Sequence, residues 1–173
     1  VSDKARENSI TFQAPTKTFN IAGIISSYAI IPNADIRKKF YGWIKANELD
    51  EANIFAPIAT IAAFTKGEEW RKSMLTYIED NVRFIEDYCK KNIPQIHPLR
   101  PQASFLVWLN CRELNLDHKD LLDLFIDKAH LALNDGEMFG QGGEGFMRMN
   151  IATPRSVIKQ ALDQLATAVN NLK

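Results

Sequence analysis

Between positions 68 and 91, apolar side chains return at helical intervals. Trp70, Met74, Tyr77 or Ile78, Val82, Ile85 and Cys89 share one stripe at i, i+4 and i+7 spacing. The stripe predicts one long helix that must bury a single face, so the chain is committed to a layered fold with something packed along that helix. Ile-Glu-Asp occurs at 78–80 and again at 85–87, too few copies for a coiled coil and better read as an apolar position with a solvated acidic flank. Asn92 to Pro94 stops the helix. The remainder reads β-β-α-β-β-α: a short strand at 96–99, a strong one at 104–110, and a helix at 118–129 capped by Asp117. An extended piece at 131–133, a strand at 146–152 and a last helix opened by Pro154 follow.

Upstream, residues 1–8 are polar and read as a frayed lead-in, and strands at 9–13 and 24–31 bracket a turn. Pro32-Asn33-Ala34-Asp35 starts a helix through Ile36, Phe40, Trp43 and Ile44. Asn53 caps a more apolar helix over 54–65, whose alanines suit tight packing against a neighbouring helix or subunit, and Lys66-Gly67 ends it. The 21 basic residues balance 21 acidic ones, which gives no electrostatic reason to expect nucleic acid or an anionic membrane. The apolar run at 54–64 is too short to span a bilayer and contains Pro57. Cys89 and Cys111 form no CxxC pair, and with His97, His118 and His130 they show no metal-ligand spacing. Two thiols in a reduced, cytoplasmic compartment is the plain reading.

Two residues stand out chemically. Lys17 lies in Ala14-Pro15-Thr16-Lys17-Thr18-Phe19-Asn20-Ile21-Ala22-Gly23, between the two expected strands. A lysine held there is placed like a reactive amine, although a strand-end lysine pointing into water is the ordinary alternative. Arg148 lies on an otherwise apolar strand, on the face opposite Met147 and Met149. It makes either a structural ion pair or a fork for an anionic ligand, since a guanidinium gives a carboxylate two parallel charge-assisted hydrogen bonds. Gly140 to Gly145 fits G-x-G-x-x-G, but a strand rather than a helix follows, so a flexible turn is expected and not a dinucleotide site. Trp108 reads as a core or interface aromatic, and Arg155, at a helix start, as structural.

The run around Lys17 resembles the cofactor-lysine segment of fold-type I pyridoxal-phosphate enzymes, in the aminotransferase branch containing the cystathionine β-lyases (C–S lyases). Gly145-Phe146-Met147-Arg148-Met149-Asn150-Ile151-Ala152 is similar to the strand that supplies the arginine for the substrate α-carboxylate in that family. The resemblance implies an α/β fold: the tail of the large cofactor-binding domain at 1–75, then a small α+β C-terminal domain at 76–173, the boundary falling inside the long helix. It implies pyridoxal 5'-phosphate in Schiff-base linkage to Lys17, a phosphate contact from Thr16, and Arg148 on the carboxylate of a small amino-acid substrate. The activity implied is C–S β-lysis or transamination, with a non-catalytic aminotransferase-like module as a third reading, and the family's homodimeric state comes with it. Its aminotransferases often carry a phosphate-binding arginine some eight residues past the lysine; Ile25 and then Ser26 stand there, which agrees better with the lyases. The pyridinium aspartate, the ring-stacking aromatic and the phosphate cup precede the lysine in relatives and are expected upstream of Val1. The chain is accordingly read as the C-terminal part of a larger enzyme.

Overall fold

The long helix predicted from the stripe is present as Glu68–Asn92. In the computed structural model, which describes residues 2–51 and 53–172, the chain divides into two units, Val1–Ser73 and Met74–Lys173. Fold class is mixed helix and sheet, as expected.

The first unit contains α1 (Asp3–Glu7), β1 (Thr11–Gln13), β2 (Tyr28–Ile30), α2 (Ala34–Ala46), α3 (Phe55–Lys66) and the start of α4 (Glu68–Asn92). The polar lead-in is helical rather than frayed, because the Ser2 hydroxyl accepts from the Ala5 N–H at 3.2 Å and caps its first turn. β1 and β2 pair antiparallel, Phe12 opposite Ala29. The second strand is much shorter than the apolar run at 24–31. A 3₁₀ turn takes Ala22–Ile24, and only three residues of β1 are available to pair. Only Pro15, Phe19, Ile31 and Ala56 of this unit's apolar residues are buried among the described residues, while Phe12, Ile25, Trp43, Ile54, Phe55, Ile58 and Ile61 are exposed.

The second unit is a four-stranded antiparallel sheet in the order β3-β4-β6-β5, formed by β3 (His97–Leu99), β4 (Leu106–Asn110), β5 (Asn134–Asp135) and β6 (Phe146–Asn150). The remainder of α4, α5 (His118–Asp123) and α6 (Arg155–Asn170) supply its helices. Alternation along β4 and β6 sends Val107, Leu109, Met147 and Met149 into the core, where they join Ile85, Leu124, Phe125, Ile158 and Leu165. The helix expected over 118–129 is α-helical only to Asp123. A π-helical turn, Leu124–Lys128, completes it, with the Ala129 N–H donating to the Leu124 carbonyl at 2.9 Å. The extended piece expected at 131–133 pairs later, at Asn134 and Asp135, where β6 offers its free edge.

Burial on α4 follows the stripe from Ile78 through Val82, Ile85 and Cys89, but Trp70 and Tyr77 are exposed. The sequence pattern did not mark Asn81, which is fully buried on the same face. Its amide donates to the carbonyls of Ile151 (3.1 Å) and Thr153 (3.3 Å) and accepts from Arg155 Nε at 2.6 Å. Removing it would strand those groups away from water. Replacing Asn81 by Ala should therefore lower unfolding stability by about 2–3 kcal/mol in urea titrations; a change within experimental error would contradict this account.

Burial pushes the Cys89 thiol up to about 12, and burial, with Cys89 nearby, does the same for Cys111. Burial first, then its 2.6 Å hydrogen bond to Asp163, raises the Tyr88 hydroxyl to about 12 as well. All three groups hold their protons more tightly folded than unfolded. Their contribution to stability is complete below the ordinary values of 9.0 and 10.0 and is lost as pH rises through 12. The denaturation midpoint should fall across that alkaline window, and a C89V/C111V double variant should show a shallower fall.

Candidate functional site

The side chains singled out in the sequence lie in two places, one in each unit. In the first, the turn after β1 is clamped on both sides of Lys17. Pro15 and Phe19 are buried, the Phe19 N–H donates to the Pro15 carbonyl and the Ile21 N–H to the Thr16 carbonyl, each at 3.0 Å. Phe19 packs edge-on to Phe64 with ring centres 5.4 Å apart, and it comes so close to Gly67 that a Cβ there would lie 2.7 Å from its ring. The turn therefore cannot shift freely. It leaves Lys17 exposed and Thr16 half-buried beside it.

The expectation of a lysine between buried strands is corrected by this geometry. β1 is exposed throughout and only Ala29 of β2 is half-buried, so the described residues give the Lys17 amine no desolvating shelter. Ile25, eight residues past Lys17, is exposed with φ +51°, a strained conformation for a β-branched residue. The neighbouring Ser26 hydroxyl is engaged by Thr60 Oγ1 at 2.8 Å. A concavity of about 670 Å³ opens beside them, lined in part by Phe12, Ile25, Tyr28, Phe40 and Ile61, and Lys17 is not part of its wall.

In the second unit, strand register lines up one residue from each strand across the open face of the sheet: Leu99, Trp108, Arg148 and Asn134. Arg148 occupies the face opposite Met147 and Met149, as its alternation required. Its Nη2 donates to Asn134 Oδ1 at 2.9 Å, and its Cζ lies 4.2 Å from the centre of the Phe139 ring. Its Nε is buried with no hydrogen-bond partner among the described residues. No carboxylate of the described residues forms an ion pair with it. Of the two readings open for Arg148, the structural ion pair is therefore not made among the described residues.

Trp108 is half-buried on this open face, not in the core, and meets Phe139 and Phe146 edge-on at 5.3 and 6.2 Å. Together with Leu99 and the glycine turn these rings line a hollow of about 320 Å³. Gly140, Gly142 and Gly145 adopt positive φ, and the turn leads into β6 as anticipated. Arg112, unremarkable in sequence, holds it: Nε donates to the Glu144 carbonyl at 2.9 Å while the guanidinium covers Phe146 at 4.7 Å. Arg155 is structural, its backbone N–H donating to Tyr77 Oη and its side chain to Asn81. His118 contacts Glu137 and Asp135, and His97 contacts Glu113, but no group able to hold a metal ion occurs among the described residues. No helix of those residues is long and apolar enough to cross a membrane.

No protein-family model matches the chain. It is 35% identical over 170 residues to cystathionine β-lyase PatB of Bacillus subtilis, covering 98% of this chain and 44% of that protein. Protein MalY of Escherichia coli is 30% identical over 173 residues, covering 99% of this chain and 44% of MalY. The crystal structure of cystalysin from Treponema denticola, which contains a pyridoxal 5'-phosphate cofactor, superposes with a TM-score of 0.87 at 34% identity, over 99% of this chain and 44% of cystalysin. The chain thus spans less than half the length of the proteins it matches.

Gly136 and Gly143 hold the hollow's rim by direct backbone contact: a Cβ on Gly143 would sit 2.0 Å from the Gly136 carbonyl oxygen. Gly143→Ala should cost about 2 kcal/mol or more of stability, whereas Gly23→Ala, with nothing within 4 Å of the added carbon, should be near neutral. Equal thermal midpoints for the two variants would refute the contact.

Proposed function

Because this chain belongs to the family of pyridoxal-phosphate-dependent aminotransferases and C–S lyases, and aligns with their C-terminal part, we propose that it serves a C–S β-lyase of the cystathionine β-lyase type. The overall reaction is hydrolytic: the Cβ–S bond of an L-cysteine conjugate breaks, and with water the products are a thiol, pyruvate and ammonia. The observation that carries the reading is Arg148, a guanidinium on the open sheet face with no carboxylate paired to it among the described residues. A buried donor without an acceptor is costly to leave so, and an incoming α-carboxylate would satisfy it.

Lys17 and Thr16 fit the cofactor. A primary amine held outward on a clamped turn is open to attack an aldehyde, and a hydroxyl stands next to it for a phosphate oxygen. When bound, pyridoxal phosphate supplies the electron sink for the charge left at the substrate Cα. Lys17 moves the proton at Cα, first as general base and then as acid, and for that its amine must become neutral. Arg148 binds the substrate α-carboxylate through its guanidinium and fixes that group's orientation. We place residues 1–75 in the cofactor-binding domain and 76–173 in the small domain. We assign the exposed apolar face of α3 to a homodimer contact in the assembled enzyme and place that enzyme in the cytoplasm; the exposure of Ile54, Phe55, Ile58 and Ile61 supports the contact.

The cofactor-loaded protein, reduced with borohydride and digested, should carry its label on the peptide containing Lys17; a label on any other lysine would end that assignment. With cystathionine as substrate, pyruvate should accumulate without added 2-oxo acid. Product formation that requires a 2-oxo acid and yields a new amino acid would make the protein an aminotransferase instead.

A further inference from the structure

The partner that fixes Arg148 is a neutral amide, and that choice has an electrostatic meaning. Asn134 sits opposite Arg148 at the edge of the sheet and accepts one hydrogen bond from Nη2 at 2.9 Å. Phe139 covers one face of the guanidinium at 4.2 Å. The group is thereby held by an edge and a face, and neither contact cancels its charge. A carboxylate at 134 would be nearly the same size and would accept the same bond, but it would neutralise the cation and compete with any anion seeking it.

We propose that Asn134 is the positioning residue for carboxylate recognition: it sets the orientation of the Arg148 fork while leaving its charge uncompensated for the α-carboxylate of an amino-acid substrate. This rests on the carboxylate role proposed for Arg148. Asn134 touches the arginine and not the reacting atoms, and it is exposed at a two-residue edge strand, so substitution there leaves the core intact.

The test compares N134A, N134D and R148A in the cofactor-loaded enzyme, using an L-cysteine conjugate and its α-carboxamide. Loss of one hydrogen bond in N134A should raise KM for the carboxylate substrate about fivefold, with kcat falling less than KM rises. N134D keeps the acceptor but brings a charge, so it should raise KM further, by about thirtyfold. The carboxamide should respond little to either variant. An N134D enzyme that binds the carboxylate substrate as well as wild type, or no worse than N134A, would overturn the inference, because a merely structural acceptor tolerates aspartate. An equal loss on the carboxamide would overturn it as well. Should R148A raise KM strongly while both Asn134 variants match wild type, this inference fails alone; an unaffected KM in R148A would remove the carboxylate reading of Arg148 and this inference together.

Discussion

The buried amide of Asn81 is the interaction on which the second unit depends. It is the one buried polar side chain among the described residues. It joins α4 to the carbonyls where β6 ends and to the guanidinium where α6 begins. An apolar side chain at that point would have packed against α4 equally well, but it would have left two carbonyls and an arginine unsatisfied. The same segment, 151–155, is the exit from the strand that carries Arg148, so the helix spanning the chain's midpoint also fixes the frame of the proposed substrate-binding arginine. Arg155 contributes to that frame: its backbone N–H donates to Tyr77 Oη and its guanidinium covers Phe84 at 4.9 Å.

β6 divides its labour by side. One face drives folding through Met147 and Met149; the other presents the row Leu99, Trp108, Arg148 and Asn134 to solvent. A period of two therefore separates the core face from the open face along five residues, and the aromatic rings beside Arg148 can vary without disturbing the core. The first unit is built the opposite way. Its stiffness is concentrated at the Lys17 turn, by Phe19 against Phe64 and Gly67, while most of its apolar surface lies open.

What could be read in the sequence were features of period and punctuation. The α4 stripe, the outward face of Arg148, the glycine turn and the Pro154 start of α6 follow from residues close in the chain. The buried state of Asn81 could not be read, because its partners lie some seventy positions away. The length of β2 is set by a three-residue partner rather than by its own apolar run, and β5 begins only where β6 has a free edge. Arg112 was missed for the same reason: its acceptor, the Glu144 carbonyl, sits in a loop thirty-two residues on. Shelter for the Lys17 amine was expected from neighbouring strands that prove to be exposed. Sequence proximity to apolar residues does not settle which of them end up covered.

Four sulfur atoms, from Cys89, Cys111, Met147 and Met149, lie in the single core beneath the Arg148 face. None is reachable by peroxide while that core stays closed, since these side chains are between 0% and 5% exposed. A sulfoxide formed on either methionine would place a polar oxygen directly under the strand that carries Arg148. Oxidation of these four sulfurs is therefore gated by transient opening of the core around them, whereas Met138, 67% exposed, has no such protection and reports the oxidant at the surface.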